Sequence, residues 1–408
     1  MKNIRSYPAA IVTKKAETAL KIGHPWVYDN EIKLIPSDIE NGCLVDVYSE
    51  KGSYLGTGLL SLKSKIRIRI ISRNANDRFD TDFFKRRIRY AVDYRKTVMG
   101  KDFDCCRLIF GEADGIPGLT VDRYGDILVT QVLSFGIEQR KNEIYELLFK
   151  TLADENISIS GIFERNDVAI RELEGLTTFK EWYKADFIGI PRSAVTEIVE
   201  NRIIYNVDVE NGQKTGFFLD QKYNRLAVSK ISKGKRVLDC FTHTGSFAMN
   251  AAFGGAEHVT AVDISSSAIE LARANAEKNG LSDKIDFLCT DVFDLLPLLC
   301  EKPAEYDFII LDPPAFTKSR KTIANAERGY KEINYRAMRL LPRGGYLATC
   351  SCSHFMDNEK FIKMLLSAAS DANVQLKLIE ARQQAPDHPI LLNVPETDYL
   401  KFYLFQVV

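Results

Sequence analysis

Three short stretches carry side chains whose types and spacing could do chemistry. ATCSCSH, residues 348–354, sets Cys350 and Cys352 one residue apart at the end of an apolar run. LDPPAF, residues 311–316, follows an acid with two prolines and an aromatic ring. LDCFTHTGSF, residues 238–247, puts one glycine among hydroxyls and a histidine, and AVDIS follows with Asp263 placed 24 residues after Asp239. Two thiols so close can fill a core, hold a metal, pair in a disulfide or attack a substrate. Eight cysteines scattered through 408 residues show no framework spacing, and in a reducing compartment such thiols stay free. For a metal, C-x-C with only His354 nearby supplies too few ligands. Packing and nucleophilic attack remain.

These stretches need elements that bring them together. From about residue 208 the chain alternates strand and helix: RVLDCF, SFAMNAAFGG, HVTAVDI, SSAIELARANAEKNG, IDFLCT, then YDFIILDPP. That order predicts a parallel sheet with crossover helices, a doubly wound Rossmann-like α/β domain over 208–408, with its site at the carboxyl ends of the strands. All three stretches lie at such ends. Upstream, residues 1–72 alternate short apolar runs with turns and read as a small β-rich domain, and residues 73–207 read as a central α+β domain. In the latter, Glu112, Asp114 and Asp122 cluster about a Gly/Pro turn, where acids serve the turn rather than a metal.

An acid at the end of the second strand can accept hydrogen bonds from ribose hydroxyls, so Asp263 points to an adenosine-containing cofactor. A dinucleotide would ask for G-x-G-x-x-G in the first loop; here Gly245 stands alone beside Thr242, His243, Thr244 and Ser246. S-adenosylmethionine has the adenosine and no phosphate, and it fits better than a nicotinamide. The cofactor site is expected to include Asp239, Gly245, Asp263 and Ile264, with Asp291 and the Val292 backbone meeting the adenine edge.

The Asp312-Pro313-Pro314 turn fixes the backbone and aims polar groups at a planar substrate stacked by Phe316. It resembles the (Asp/Asn)-Pro-Pro-(aromatic) motif of methyltransferases acting on nucleic-acid bases. Carbon-5 of a pyrimidine is a poor nucleophile, and its methylation requires a thiolate to attack carbon-6 first. Nitrogen methylation needs no thiol. Alternation puts Cys350 and Cys352 on the same side of the strand, but Cys350 lies deeper, where a free cysteine packs as a small hydrophobe. Cys352 lies at the carboxyl edge, where open α/β sheets do chemistry. In this reading Cys352 is the nucleophile, with Cys350 kept as the second candidate, and Asp312 bonds N3 and the exocyclic amine of cytosine.

Whole-chain charge excludes little, since 55 basic residues cancel 55 acidic ones. Residues 1–75, however, carry 12 Lys/Arg against 7 Asp/Glu, and KSKIRIRII sets Lys63, Lys65, Arg67 and Arg69 on one face of an expected strand. Such a face is either merely solvated or made for phosphates. The N-terminus lacks the apolar stretch of a signal peptide and no long apolar run occurs, so a cytoplasmic location off the membrane is expected.

Taken together, HPWVYDNEI (24–32), GEADGIPGLTVDRYGD (111–126), GQKTGFFLDQKYNR (212–225), LDCFTHTGSFAMNAA (238–252), LDPPAF, GYKEINYRAM (329–338), SCSHFM (351–356) and His388-Pro389 resemble, over nearly the whole chain, the RlmI-type bacterial 23S rRNA cytosine-5 methyltransferases. The resemblance implies an N-terminal PUA domain whose basic strand touches RNA, and a SAM site lined by Gln221, Phe241, Ser246, Asp263, Asp291 and Asp312. It sets the family's cysteine on Cys352, and its partner would be 23S rRNA or a large-subunit precursor, with a homodimer allowed. One departure stands out. Better-known RNA cytosine-5 methyltransferases carry a second cysteine after the DPP-like turn, where this chain has Ala315. The base that removes the carbon-5 proton is left open among Lys318, Tyr330 and Lys331. Two rival readings remain: an exocyclic-amine methyltransferase acting on adenine or guanine, and a non-catalytic RNA-binding assembly factor.

Overall fold

The computed structural model describes residues 6–301, 305–317 and 322–408. By its contacts the chain divides into two compact units, 1–198 with 206–219 and 386–397, and 199–205 with 220–385 and 398–408.

In the first unit, six strands form a sheet in the order Trp26–Tyr28, Ile66–Ser72, Tyr54–Leu60, Leu44–Ser49, Ala9–Val12, Ile32–Leu34. Alternation fills one face with Val12, Val27, Val45, Val47, Leu60, Ile68 and Ile70, on which Leu20 of helix Lys14–Lys21 packs. A second, five-stranded sheet runs Phe179–Trp182, Gly161–Asn166, Ile127–Val132, Leu119–Tyr124, Cys105–Phe110. It carries helices Thr81–Met99, N-capped by Asp80, and Lys141–Asp154. The acids about the turn have cationic partners: Asp114 meets Arg95 at 2.5 Å, and Asp122 meets Arg107 at 2.7 Å. The sequence reading divides the chain near 72 and near 207; by contacts, residues 206–219 and 386–397 cluster with the first unit. For 386–397 the reason is local: Asp387 accepts the Arg107 amide at 2.8 Å and its carbonyl takes a bond from the fully buried Arg95.

The second unit is the doubly wound domain. Its elements are α1 Lys222–Ile231, β1 Arg236–Cys240, α2 Ser246–Phe253, β2 His258–Asp263, α3 Ser266–Lys278, β3 Ile285–Cys289, α4 Val292–Leu299, β4 Phe308–Leu311, α5 Ile323–Leu340, β5 Tyr346–Ser351, α6 Asn358–Asp371, β6 Leu376–Arg382 and β7 Lys401–Val407. The sheet order is β3-β2-β1-β4-β5-β7-β6, parallel but for β7, which runs antiparallel to both neighbours. Central strands covered on both faces read as continuous apolar runs, and Phe308 to Leu311 are all fully buried. Strand order reverses between β1 and β4, which opens a crevice beyond their carboxyl ends. No helix among the described residues is long and apolar enough to cross a membrane.

Candidate active site

The loop leaving β1 is strained where it must be shaped. Phe241, His243 and Gly245 have φ of 65°, 50° and 79°, two of them non-glycine residues in the left-handed region. The loop is pinned across the sheet: Thr242 N donates to Val262 O, and His243 N donates to Asp263 Oδ2, both at 2.9 Å. Glycine is favoured at 245, since an added Cβ would stand 3.1 Å from Ala272 Cβ in a conformation that L side chains resist.

Behind this loop Asp239 is fully buried. Its Oδ2 accepts from Thr242 Oγ1 at 2.6 Å and from Ala248 N at 2.9 Å, while Oδ1 has no partner among the described residues. Burial, with the charges of Asp312 and Asp263 adding to it, pushes the carboxyl up to about 7. A buried carboxylate oxygen left unsatisfied fits the ammonium group of a methionine moiety. Asp263 accepts one backbone amide on each oxygen, from His243 and from Ser265, and each oxygen keeps a lone pair for a ribose hydroxyl. Ile264 beside it is 69% exposed, bare apolar surface suited to a nucleobase. Asp291 N-caps α4 through Phe293 N at 2.8 Å, so its Oδ1 is committed to the helix. The Val292 side chain is in the core, which leaves its backbone for the rim. Ser246, nearly buried, opens α2. The residues present fit S-adenosylmethionine, which Asp239, Asp263 and Ile264 would hold.

Across the crevice, Asp312 Oδ1 accepts from Gln221 Nε2 at 3.0 Å, and Asn224, one helical turn on, donates to Gln221 Oε1 at 2.6 Å. Cys350 is fully buried, and burial plus the nearby Asp312 raise its thiol well above the ordinary range. Cys352 stands one residue past the end of β5, half-buried, its Sγ 4.0 Å from the Pro313 carbonyl. Pro313 is buried and Pro314 exposed.

Several expectations change. The Phe316 ring belongs to an aromatic cluster, its centroid 4.6 Å from Tyr330, 5.8 Å from Phe293 and 6.5 Å from Phe241, and it stays partly exposed. Tyr330 is fully buried, bonds Ser353 Oγ at 2.9 Å and is pushed up to about 12 by burial and the neighbouring Cys352, so at neutral pH it keeps its proton. Lys331 is not brought to the thiols; it pairs with Asp371 at 2.7 Å beside Arg328 and Glu332. Lys318 lies outside the described residues. The sequence reading missed Lys401, a buried amine at the start of β7 whose Nζ donates to Ser353 O at 2.8 Å. Its signal was there, a single charge opening the apolar run KFYLFQV.

The basic face also divides. The strand begins only at Ile66, so Lys63 and Lys65 stand exposed in the turn before it. Arg67 folds back onto the Ser61 and Leu62 carbonyls. Arg69 is corrected from a free cation to a structural one, bonded through both nitrogens to buried Glu174 at 2.7 and 3.3 Å. A buried guanidinium requires such a partner.

A PUA-like domain model matches residues 10–73, and the S-adenosylmethionine-dependent methyltransferase model matches residues 178–406. Proteins named ribosomal RNA large subunit methyltransferase I are 42% identical over 392 residues in Aeromonas salmonicida, covering 96% of this chain and 97% of that one. In Klebsiella pneumoniae strain 342 such a protein is 37% identical over 404 residues, covering 98% and 99%. A SAM-dependent methyltransferase structure from Streptococcus mutans superposes with a TM-score of 0.81 at 24% identity, covering 98% and 99%. A methyltransferase structure complexed with SAH does so with 0.83 at 23%, again covering 98% and 99%. These two show the shared fold. With a PUA-like module ahead of a SAM-binding sheet and full-length relatives at this identity, the chain belongs to the S-adenosylmethionine-dependent methyltransferases, among the relatives named ribosomal RNA large subunit methyltransferase I.

Proposed function

We propose that this methyltransferase acts on carbon-5 of a cytosine in 23S rRNA through a covalent adduct with Cys352. The observation that carries the reading is the half-buried Cys352, 4.0 Å from the carbonyl of Pro313 in the DPP turn at the adjoining strand end, while its neighbour Cys350 is closed off in the core. An amine methyltransferase has no use for a thiol there. When bound, S-adenosylmethionine supplies an electrophilic methyl group. Cys352 Sγ, as thiolate, forms a bond to carbon-6, and the carbon-5 to carbon-6 electron pair is released into the ring, leaving an enamine whose carbon-5 can take the methyl group. Asp312, held by Gln221, delivers a proton to N3 as negative charge develops there and takes it back when the adduct collapses, while it accepts from the exocyclic amine. The carbon-5 proton passes to water, its electron pair re-forms the carbon-5 to carbon-6 double bond, and the sulfur–carbon pair returns to Sγ as the thiolate. The exposed Lys63 and Lys65 of the PUA-like domain supply phosphate contacts.

The test is direct. Incubating 23S rRNA, free or in large-subunit precursors, with labelled cofactor should yield 5-methylcytidine by nucleoside mass spectrometry, and Cys352→Ala should abolish transfer while cofactor affinity stays within about twofold, a change of ~0.4 kcal/mol. N6-methyladenosine or N2-methylguanosine, or a fully active Cys352→Ala variant, would sink the covalent reading; absence of label with intact RNA binding would favour an assembly role.

A further inference from the structure

Lys401 buries an ammonium group beside the strand that carries the thiols. It is 5% exposed, and two of its three N–H groups donate to the carbonyls of Ser353 at 2.8 Å and Tyr399 at 2.9 Å. No carboxylate among the described residues lies within salt-bridge distance of it, although buried ammonium groups are paired as a rule. Asp357 is bound to Lys360 and Asp398 to Gln383 Nε2 at 3.1 Å, and both act on Lys401 only at longer range. The residue whose negative form acts on it most strongly is Cys352. Lys401 opens β7 opposite Ser351, so its side chain reaches the peptide just past Cys352.

We propose that Lys401 is a positioning residue for Cys352: its buried ammonium fixes the chain at Ser353 and holds Cys352 as the thiolate. The thiol proton leaves to water, Sγ keeps the electron pair, and the ammonium retains its own protons while the sulfur–carbon bond forms and breaks. Desolvation lowers Lys401 to about 8, so it is charged at neutral pH. Among the described residues, Cys350 of β5 and Tyr330 of α5 also act on Cys352, and neither carries a positive charge; Asp357, before α6, acts on Lys401. A neighbouring ammonium favours the thiolate over the thiol.

This rests on Cys352 as the nucleophile, yet it is read without methyl transfer. The rate of iodoacetamide alkylation at Cys352, followed by mass spectrometry from pH 6 to 10 in the cofactor-free protein, should rise with an apparent midpoint below the ordinary thiol value of about 8.5. Lys401→Met should move that midpoint up by about one unit, roughly a tenfold loss of alkylation rate at pH 7, and Lys401→Arg should restore most of it. In turnover, Lys401→Met should lower kcat with little change in KM. A wild-type midpoint at or above 8.5, a comparison needing no variant, would overturn the proposal, as would superimposable wild-type and Lys401→Met profiles. If instead Cys352→Ala still methylates RNA, it is the nucleophile assignment that fails, whatever the alkylation profile.

Discussion

At the scale of single residues, ionisation decides what the site can do. Asp239 illustrates it. Burial raises its carboxyl from 3.8 to about 7, so in the ligand-free protein ionising this group costs stability as pH rises from about 4 to 7. Binding reverses the sign, because a ligand ammonium favours the carboxylate. Cofactor affinity should therefore rise with pH up to about 7 and fall again above about 8, where an α-amino group loses its charge. Calorimetric titration from pH 5.5 to 9 should show that optimum, with up to tenfold weakening per unit on the acid side; Asp239→Asn should bind weakly and lose the acid limb. An affinity independent of pH below 7 would contradict the role given to Oδ1. The cysteines show the same control: two identical side chains differ because one sits inside the strand and the other one residue past its end.

At the scale of elements, the β1–α2 loop is where sequence and geometry constrain each other most tightly. Placing a Cβ at Gly245 costs about 1–2 kcal/mol for the left-handed conformation alone, and its approach to Ala272 forces α3 to give. Gly245→Ala should therefore lower the thermal midpoint and weaken cofactor binding by roughly tenfold, equivalent to ~1.4 kcal/mol; unchanged binding would show that the loop adapts. Much of the element order was legible, since alternation and helical periodicity follow from which faces are buried. The bounds of KSKIRIRII were less so. Its charge pattern reads as a strand from Lys63, but pairing with Trp26–Tyr28 begins only at Ile66, and the Arg69 partner Glu174 lies 105 residues away. A local pattern carries no information about so distant a counterion.

At the scale of the whole molecule, the proposed function assigns RNA affinity to the PUA-like domain and methyl transfer to the methyltransferase domain. Lys63→Glu with Lys65→Glu should weaken rRNA binding and reduce the slope of log affinity against log salt by about 1–2, while cofactor affinity holds. Filter binding between 50 and 300 mM salt measures this, and a slope equal to that of the wild type would remove these lysines from the interface.

The sequence alone determined the αβ alternation, the acids at strand ends, the single glycine of the first loop and the DPP turn. Each is set by local sterics or by a periodicity that a few neighbouring residues express. Tertiary structure decided the rest. It left one oxygen of Asp239 without a partner among the described residues, drew Phe316 into an aromatic cluster, neutralised Arg69 and brought Lys401 from 49 residues beyond Cys352 to the edge of its strand. Burial and ion pairing depend on which distant segments meet, and they set whether a side chain is chemistry or packing.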